Sequence, residues 1–363
     1  MRIANYLLWR SARGILTLLT MIAITFALYF AIEKQPPIQF YFPSVNRGAP
    51  ATPAQVKTVR HAFFLDGSKF GLFFSYVGHL ARGDFGEQRS IDSLHGTVVE
   101  SPLSAPYPEL RATLSILIGG AILVLLLALP LGAISGARIG SWADRLISFG
   151  ALVLVCMHPM MLGLILRSVG GSVNWLPTSG YCTFVKHPAP KGRFFPSDYH
   201  PCGGPAAWAT HLILPWITFA LLFLALYTRM IRASVADTIH EDFVRTARAK
   251  GASRSRVLAR HVLPSASLRV LTMVGMEIGT AIGVCIYIEA AFNIGGLGSF
   301  AVQQLGGASI SLDLPNDLAI VVLITLVVIV GNLLVDLLYA VLDPRAGTQH
   351  GAQKTKSFVG GVF

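Results

Sequence analysis

Six apolar stretches, each long enough to cross a hydrocarbon core as a helix, constrain this chain more than any other feature. They run over about 14–32, 110–134, 146–169, 211–231, 270–292 and 318–341. A span needs about 20 apolar residues, and backbone in lipid must satisfy its own polar groups, so each stretch is expected to be helical. The fold class is therefore all-α integral membrane with six transmembrane helices. Composition agrees, since 53% of the 363 residues are hydrophobic and only 13% are charged. A soluble domain could not cover that much apolar surface. The formal charge of +11 does not point to nucleic acid, because the basic residues lie beside the spans and form no basic soluble domain.

Orientation follows from the short loops, where Lys and Arg are held on the cytoplasmic side. Arg2, Arg10 and Arg13 precede the first span, and Arg138 and Arg145 separate the second from the third. Arg245, Arg248, Lys250, Arg254, Arg256 and Arg260 lie between the fourth and fifth, and Arg345, Lys354 and Lys356 follow the sixth. With six crossings all four segments share one side, which puts both termini in the cytoplasm. The first span is too long for a signal-peptide core and no small-residue cleavage site follows it, so it is expected to be retained.

This divides the chain into a cytoplasmic segment 1–13, a six-helix domain 14–341 and a cytoplasmic tail 342–363. The outer loops cover about 33–109 and 170–210. The first holds prolines at 36, 37, 43, 50 and 53, a stretch at 57–83 that reads as a surface helix, and a second proline break at 102–108. The second is rich in Gly, Pro and aromatics and carries Cys182 and Cys202. Facing an oxidising compartment, these two can form a disulfide or remain free thiols; with His187 and His200 they could instead hold a metal, although no C-x-x-C pair supports that. Cys156 and Cys285 fall inside spans as small apolar groups.

The inner loop at about 232–269 carries the most specific signal, RTARAKGASRSRVLARHVLP at 245–264. Thr238 followed by Glu241 reads as a capping box that starts a short helix. Arg245, Arg248 and Lys250 lie toward its negative end. Gly251 ends the helix in a left-handed or tight turn, Ser253 caps a second one, and Leu263-Pro264 stop it. Phe243, Ala247 and Gly251, spaced by four, suggest a smooth face for a partner's backbone. A basic helix lying on anionic headgroups is the plainer alternative.

Inside the spans, Gly275, Gly279 and Gly283 form a ridge suited to close helix packing, with a sliding gate as the other reading. Pro130, Pro159 and Pro215 are places to bend. Glu277, Glu289 and Asp336 are intramembrane charges that either reach a helix end or line a path. His158, His211 and His261 are scattered without metal-ligand spacing, which argues against a membrane enzyme, and no inverted repeat suggests a secondary transporter.

The 245–264 stretch resembles the signature loop of ABC importer permeases, written E-A-A, three residues, G, nine residues, I-x-L-P. Arg245-Thr246-Ala247, Gly251 and His261-Val262-Leu263-Pro264 occupy those places, with Arg245 for Glu and His261 for Ile. The R-T-A-R-A-K-G form resembles the dipeptide, oligopeptide and nickel branch, and its first, B-type permease subunit. So do LLWRSARG at 7–14, LARGDFG at 80–86, PLGAISG at 130–136, NWLPTSGY at 174–181, GGLG at 295–298 and NLLVDLLYAVLDPR at 332–345. Segments 35–53 and 182–205 look like insertions.

The resemblance implies the type I ABC importer permease fold in a bacterial inner membrane. Its expected partners are a second homologous permease, two cytoplasmic ABC ATPases and an extracytoplasmic solute-binding protein, with lipid around the spans. Arg245, Thr246, Ala247, Arg248, Lys250, Gly251, Leu263 and Pro264 would form the ATPase-coupling element. This chain contains no G-x-x-x-x-G-K-[ST] loop, so ATP and Mg would be bound by the ATPases and no enzymatic activity is expected here. Di- or oligopeptides are the expected cargo; a nickel chelate, glutathione or a glycan are the alternatives.

Overall fold

The computed structural model describes residues 2–32, 52–54, 56–57, 68–82, 87–92, 97–102, 107–172, 176–183, 200–306 and 314–342. The proline-rich start of the first outer loop, His187 and the tail at 343–363 lie outside the described residues.

Helices dominate. They are α1 (Arg2–Ile32), α2 (Lys69–Leu80), α3 (Tyr107–Ala137), α4 (Trp142–Val155), α5 (Pro159–Gly171), α6 (Pro205–Thr238), α7 (Asp242–Ala249), α8 (Arg254–Val257), α9 (Leu263–Phe292), α10 (Leu297–Gly306) and α11 (Leu314–Leu342). Five of them, α1, α3, α6, α9 and α11, are long and apolar enough to cross a membrane alone. The third expected span is not one straight helix. It is the pair α4 and α5, bent by 106°. Cys156 ends α4, and the new helix starts with Pro159 in its first turn and the His158 ring accepting from the Met160 N–H. Pro159 cannot donate to the preceding turn, so the ladder breaks where a proline costs least, at a helix start. Pro130 and Pro215 stay inside continuous helices.

The bent pair still crosses the membrane. At one end Asp144 of α4 is bonded to Arg232, and at the other Gly170 of α5 packs on Leu214. Leu214 and Arg232 lie on α6 about 27 Å apart at ~1.5 Å per residue, nearly a full hydrocarbon thickness.

Packing is led by the parallel pair α3 and α6. Glycines of α3 let α6 approach: Gly119 lies under the Trp216 indole and Gly120 under Phe219, while a Cβ on Gly136 would stand 2.6 Å from the Arg232 carbonyl oxygen. The core here joins Ile116, Val124, Leu212, Phe219, Phe223 and Ile231. On the far side α1 pairs with α11, with Ile22 and Phe26 against Leu318 and Val322, and Arg10 ion-paired with Asp336. That contact supplies Asp336 with the partner that its place in a span requires.

Two short pairings lie outside the bundle. β1 (Glu87–Asp92) and β2 (Thr97–Pro102) form an antiparallel hairpin with Glu87 opposite Pro102. β3 (Cys182–Thr183) and β4 (His200–Pro201) form a parallel pair. The hairpin was not foreseen, because six-residue strands in a mixed polar loop carry little periodic signal. Of the surface helix expected over 57–83, the part Lys69–Leu80 is observed as α2, capped by the Ser68 hydroxyl at the Gly71 N–H, while 58–67 lies outside the described residues.

Candidate functional site

The loop between α6 and α9 folds as a helical hairpin. Its start differs from the expected capping box. Thr238 is the last residue of α6, and its hydroxyl donates back to the Ser234 carbonyl, so it caps nothing. Glu241 is the residue before α7 but makes no side-chain cap. A threonine hydroxyl inside a helix is satisfied by the carbonyl one turn earlier, and that bond wins over a cap when the preceding helix runs on.

The end of α7 is built as the sequence suggests. Gly251 has φ +83°, its N–H donates to the Arg248 carbonyl at 2.9 Å, and the Ala252 N–H donates to the Ala247 carbonyl at 3.2 Å. These are the two bonds of a Schellman motif, in which a left-handed residue just past the helix satisfies its last carbonyls. Beyond Ser253 the chain does not stop at Leu263-Pro264. A π-helical turn, Leu258–Val262, joins α8 to α9, with the Leu263 N–H reaching the Leu258 carbonyl. Proline's ring would press on the carbonyl four residues back, and the wider turn makes room for it, so one helical rod runs from 254 to 292.

The hairpin is mounted on the bundle through Val244, Val257 and Val262, all buried. Ala247 and Ala252 pack on the same core. Phe243, Ala247 and Gly251 therefore do not form one outward face: Phe243 is exposed, Ala247 faces inward, and a Cβ on Gly251 would meet nothing within 4 Å. The outward surface consists of Arg245, Thr246, Arg248, Lys250, Arg254, Arg256, Arg260 and His261, all exposed. Arg245 lies 3.9 Å from Asp242, too loose and too exposed to neutralise it.

Immediately above the hairpin, Arg232 grips Asp144 with two bonds of 2.6 and 2.8 Å. Asp144 also accepts from the Ser135 hydroxyl and, at 2.8 Å, from the Gly140 N–H. One nearly buried carboxylate thus ties the end of α3, the start of α4 and the last turns of α6. Sequence reasoning missed it. A lone Asp between Arg138 and Arg145 carries no pattern of its own, and the signal that could have found it is the neighbouring GxxxG of Gly132 and Gly136, which suits a close meeting of helix ends.

Between α3, α6, α9 and α11 lies an apolar groove of about 450 Å³. Leu117, Val124, Phe223, Ile278 and Val327 line it, and Glu277 and Tyr227 are its polar members. Glu289 is not among them. It is fully buried, accepting from the Thr113 hydroxyl at 2.6 Å and from the Ser299 N–H at 2.8 Å. Its carboxylate caps the first turn of α10, where a helix's free N–H groups favour negative charge. A side chain on Gly296 would run into it, which is a physical reason for the GGLG sequence. Of the glycine ridge, Gly275 meets a neighbour, with a Cβ 3.2 Å from Val335, whereas Gly279 and Gly283 have nothing within 4 Å among the described residues. Among the described residues, close packing is therefore limited to one of the three positions.

At the opposite end from the hairpin, Cys182 and Cys202 are joined by a disulfide, with Cα atoms 5.3 Å apart. The residues just before it are pinned to the bundle: the Gly180 N–H donates to the Phe292 carbonyl, and the Tyr181 hydroxyl sits between Ser115 and the Trp208 indole N–H.

Residues 128–348 match the family described as binding-protein-dependent transport system inner membrane component. The chain belongs to this family. Among its relatives is the oligopeptide transport system permease protein AppB of Bacillus subtilis, 30% identical over 94% of this chain and 99% of that protein. The probable D,D-dipeptide transport system permease protein DdpB of Escherichia coli is 30% identical over 84% of this chain and 88% of its own length. The glutathione transport system permease protein GsiC of Salmonella typhimurium is 29% identical over 94% and 98%.

The chain is thus a multi-pass permease subunit of an ABC importer, with the type I importer permease fold. Within this permease the hairpin and the groove are linked by covalent geometry. The rod that begins at Arg254 in the hairpin carries Glu277 in the groove.

Proposed function

We propose that this permease carries short peptides across the inner membrane, using the 242–264 hairpin as its coupling element. The hairpin seats on a cytoplasmic ATPase, one of two. A second homologous permease completes the pathway, and an extracytoplasmic solute-binding protein delivers the cargo. Both termini lie in the cytoplasm. ATP and Mg2+ are bound by the ATPase subunits, and this chain contributes conformational change without chemistry.

The observation that carries this reading is the exposed cationic hairpin held on buried valines and continuous with α9 through the π turn. A push on Arg245 to Lys250 moves a rigid rod, and the rod forms one wall of the groove. Nucleotide-driven closure of the ATPases then favours one of two arrangements of the spans by differential contact at the hairpin. The groove walls are apolar with one carboxylate, Glu277, which suits side chains of varied character. The oligopeptide and dipeptide relatives support peptides as the cargo class.

The test is reconstitution of the complete importer in proteoliposomes. Di- to oligopeptides are expected to accumulate in the lumen and to stimulate ATP hydrolysis. If they do neither, while glutathione or a nickel chelate does both, the peptide assignment is wrong and the coupling assignment stands.

A further inference from the structure

The helix α2, in the first outer loop, has three distinct faces. Leu72, Phe73, Tyr76, Val77 and Leu80 pack on the α1 and α11 pair. Ser75 and His79 are exposed on a second face. Phe70 and Phe74, one turn apart, are 81% and 68% exposed on a third. At 3.6 residues per turn the phenylalanine face borders Val77 and Phe73, whereas the Ser75 and His79 face borders Leu72 and Tyr76. Such a helix has protein on one side, an apolar edge and a polar edge.

Its depth says what the apolar edge meets. The α2 side chains pack on a buried cluster made of Ile22 and Phe26 of α1 and Leu318 and Val322 of α11. The apolar span of α1 continues to Leu28, and that of α11 begins at Leu318. Ile22 is therefore about 9 Å, and Val322 about 6 Å, inside the ends of those spans at ~1.5 Å per residue. A helix seated at that level lies below the edge of the hydrocarbon. The ring contacts continue outward without a break: Phe26 meets Phe73 at 5.6 Å and Phe73 meets Phe74 at 5.5 Å. Ile24 and Leu28 of α1 are exposed near the same end of that span, on an apolar surface that lipid must cover.

We propose that α2 is a membrane-embedded helix, lying in the leaflet opposite the coupling hairpin with Phe70 and Phe74 in the acyl chains and Ser75 and His79 at the headgroups. Interfacial helices bury an apolar face about 5–10 Å into that boundary, which matches the depth of its contacts. The outer loop is then anchored to the bilayer at its centre. This assignment does not depend on the cargo or on the coupling role of the hairpin.

The experiment uses the assembled importer in lipid nanodiscs, in a Cys156→Ser background that removes the exposed free cysteine. Nitroxide labels are placed singly through Phe70→Cys, Phe74→Cys and Ser75→Cys. Labels at 70 and 74 are expected to collide several-fold more with dissolved oxygen than with a water-soluble nickel chelate, and the label at 75 to show the reverse preference. Preference for the chelate at 70 and 74 would place the face in water and overturn the proposal. Low collision with both reagents would show a protein partner there and overturn it equally. Phe74→Trp serves as a second variant. Its added fluorescence should be quenched by lipids brominated on the acyl chain, and an unquenched signal would also refute the embedding.

Discussion

Gly251 carries the sharpest single-residue consequence. With φ +83° and open space around its missing Cβ, the obstacle to substitution is backbone conformation alone. An L-residue in the left-handed region costs about 1–2 kcal/mol, and a β-branched one more, whereas Asn is tolerated there. Gly251→Val and Gly251→Ala are both expected to unwind the end of α7 and weaken ATPase association or peptide-stimulated ATP hydrolysis at normal membrane abundance. Gly251→Asn should retain most of it. Full transport by the Val variant would remove the hairpin from the coupling role. Asp144 makes the second residue-scale prediction. Asp144→Ala strands Arg232 and two further donors, a loss on the order of 2–3 kcal/mol when one partner of a largely buried ion pair is removed. Thermal unfolding of the purified complex should show Asp144→Ala lower than Asp144→Asn, which keeps an acceptor. Arg232→Lys should fall between wild type and Asp144→Ala, because an ammonium cannot make the two-pronged contact.

At the scale of elements, the spans were legible because apolar length is a strong signal, and the Schellman turn was legible because glycine at that place has few other uses. The misreadings share a cause. Thr238 and Leu263-Pro264 look like a helix start and a helix stop when only near neighbours are considered, yet Thr238 belongs to the last turn of α6, bonded back to Ser234, and a π turn carries the rod through Leu263-Pro264. A glycine ridge, in the same way, does not say which glycines meet a neighbour. The structure separates them, and the separation is testable. A Cβ at 136 would press on the rigid backbone of α6, whereas one at 279 would meet nothing within 4 Å among the described residues. Gly136→Ala should lower membrane abundance or thermal stability, by about 1–3 kcal/mol for overpacking that the backbone cannot relieve. Gly279→Ala should leave both unchanged, and equal effects from the two would contradict the observed α3–α6 contact.

For the whole molecule the decisive feature is the bent pair α4 and α5, since its path sets the direction of every later helix. The contacts of Asp144 with Arg232 and of Gly170 with Leu214 hold its two ends near opposite ends of α6, so it counts as one crossing. The Arg10 to Asp336 pair then joins the start of α1 to the end of α11, at the end of the bundle that holds the hairpin. These relations predict that Asn5, Lys250 and the end of α11 share one compartment while Gly203 lies in the other. Single cysteines at Asn5, Lys250 and Gly203, each in the Cys156→Ser background, can be probed with an impermeant maleimide in intact spheroplasts. Only the label at 203 should react from outside, with those at 5 and 250 reacting after lysis. Had α4 and α5 dipped into the bilayer and returned, α6 would run the other way and Lys250 would face the compartment opposite Asn5. Reaction of 250 but not 5 from outside would therefore show a re-entrant loop in place of the third crossing, and would put the basic hairpin out of reach of any cytoplasmic ATPase.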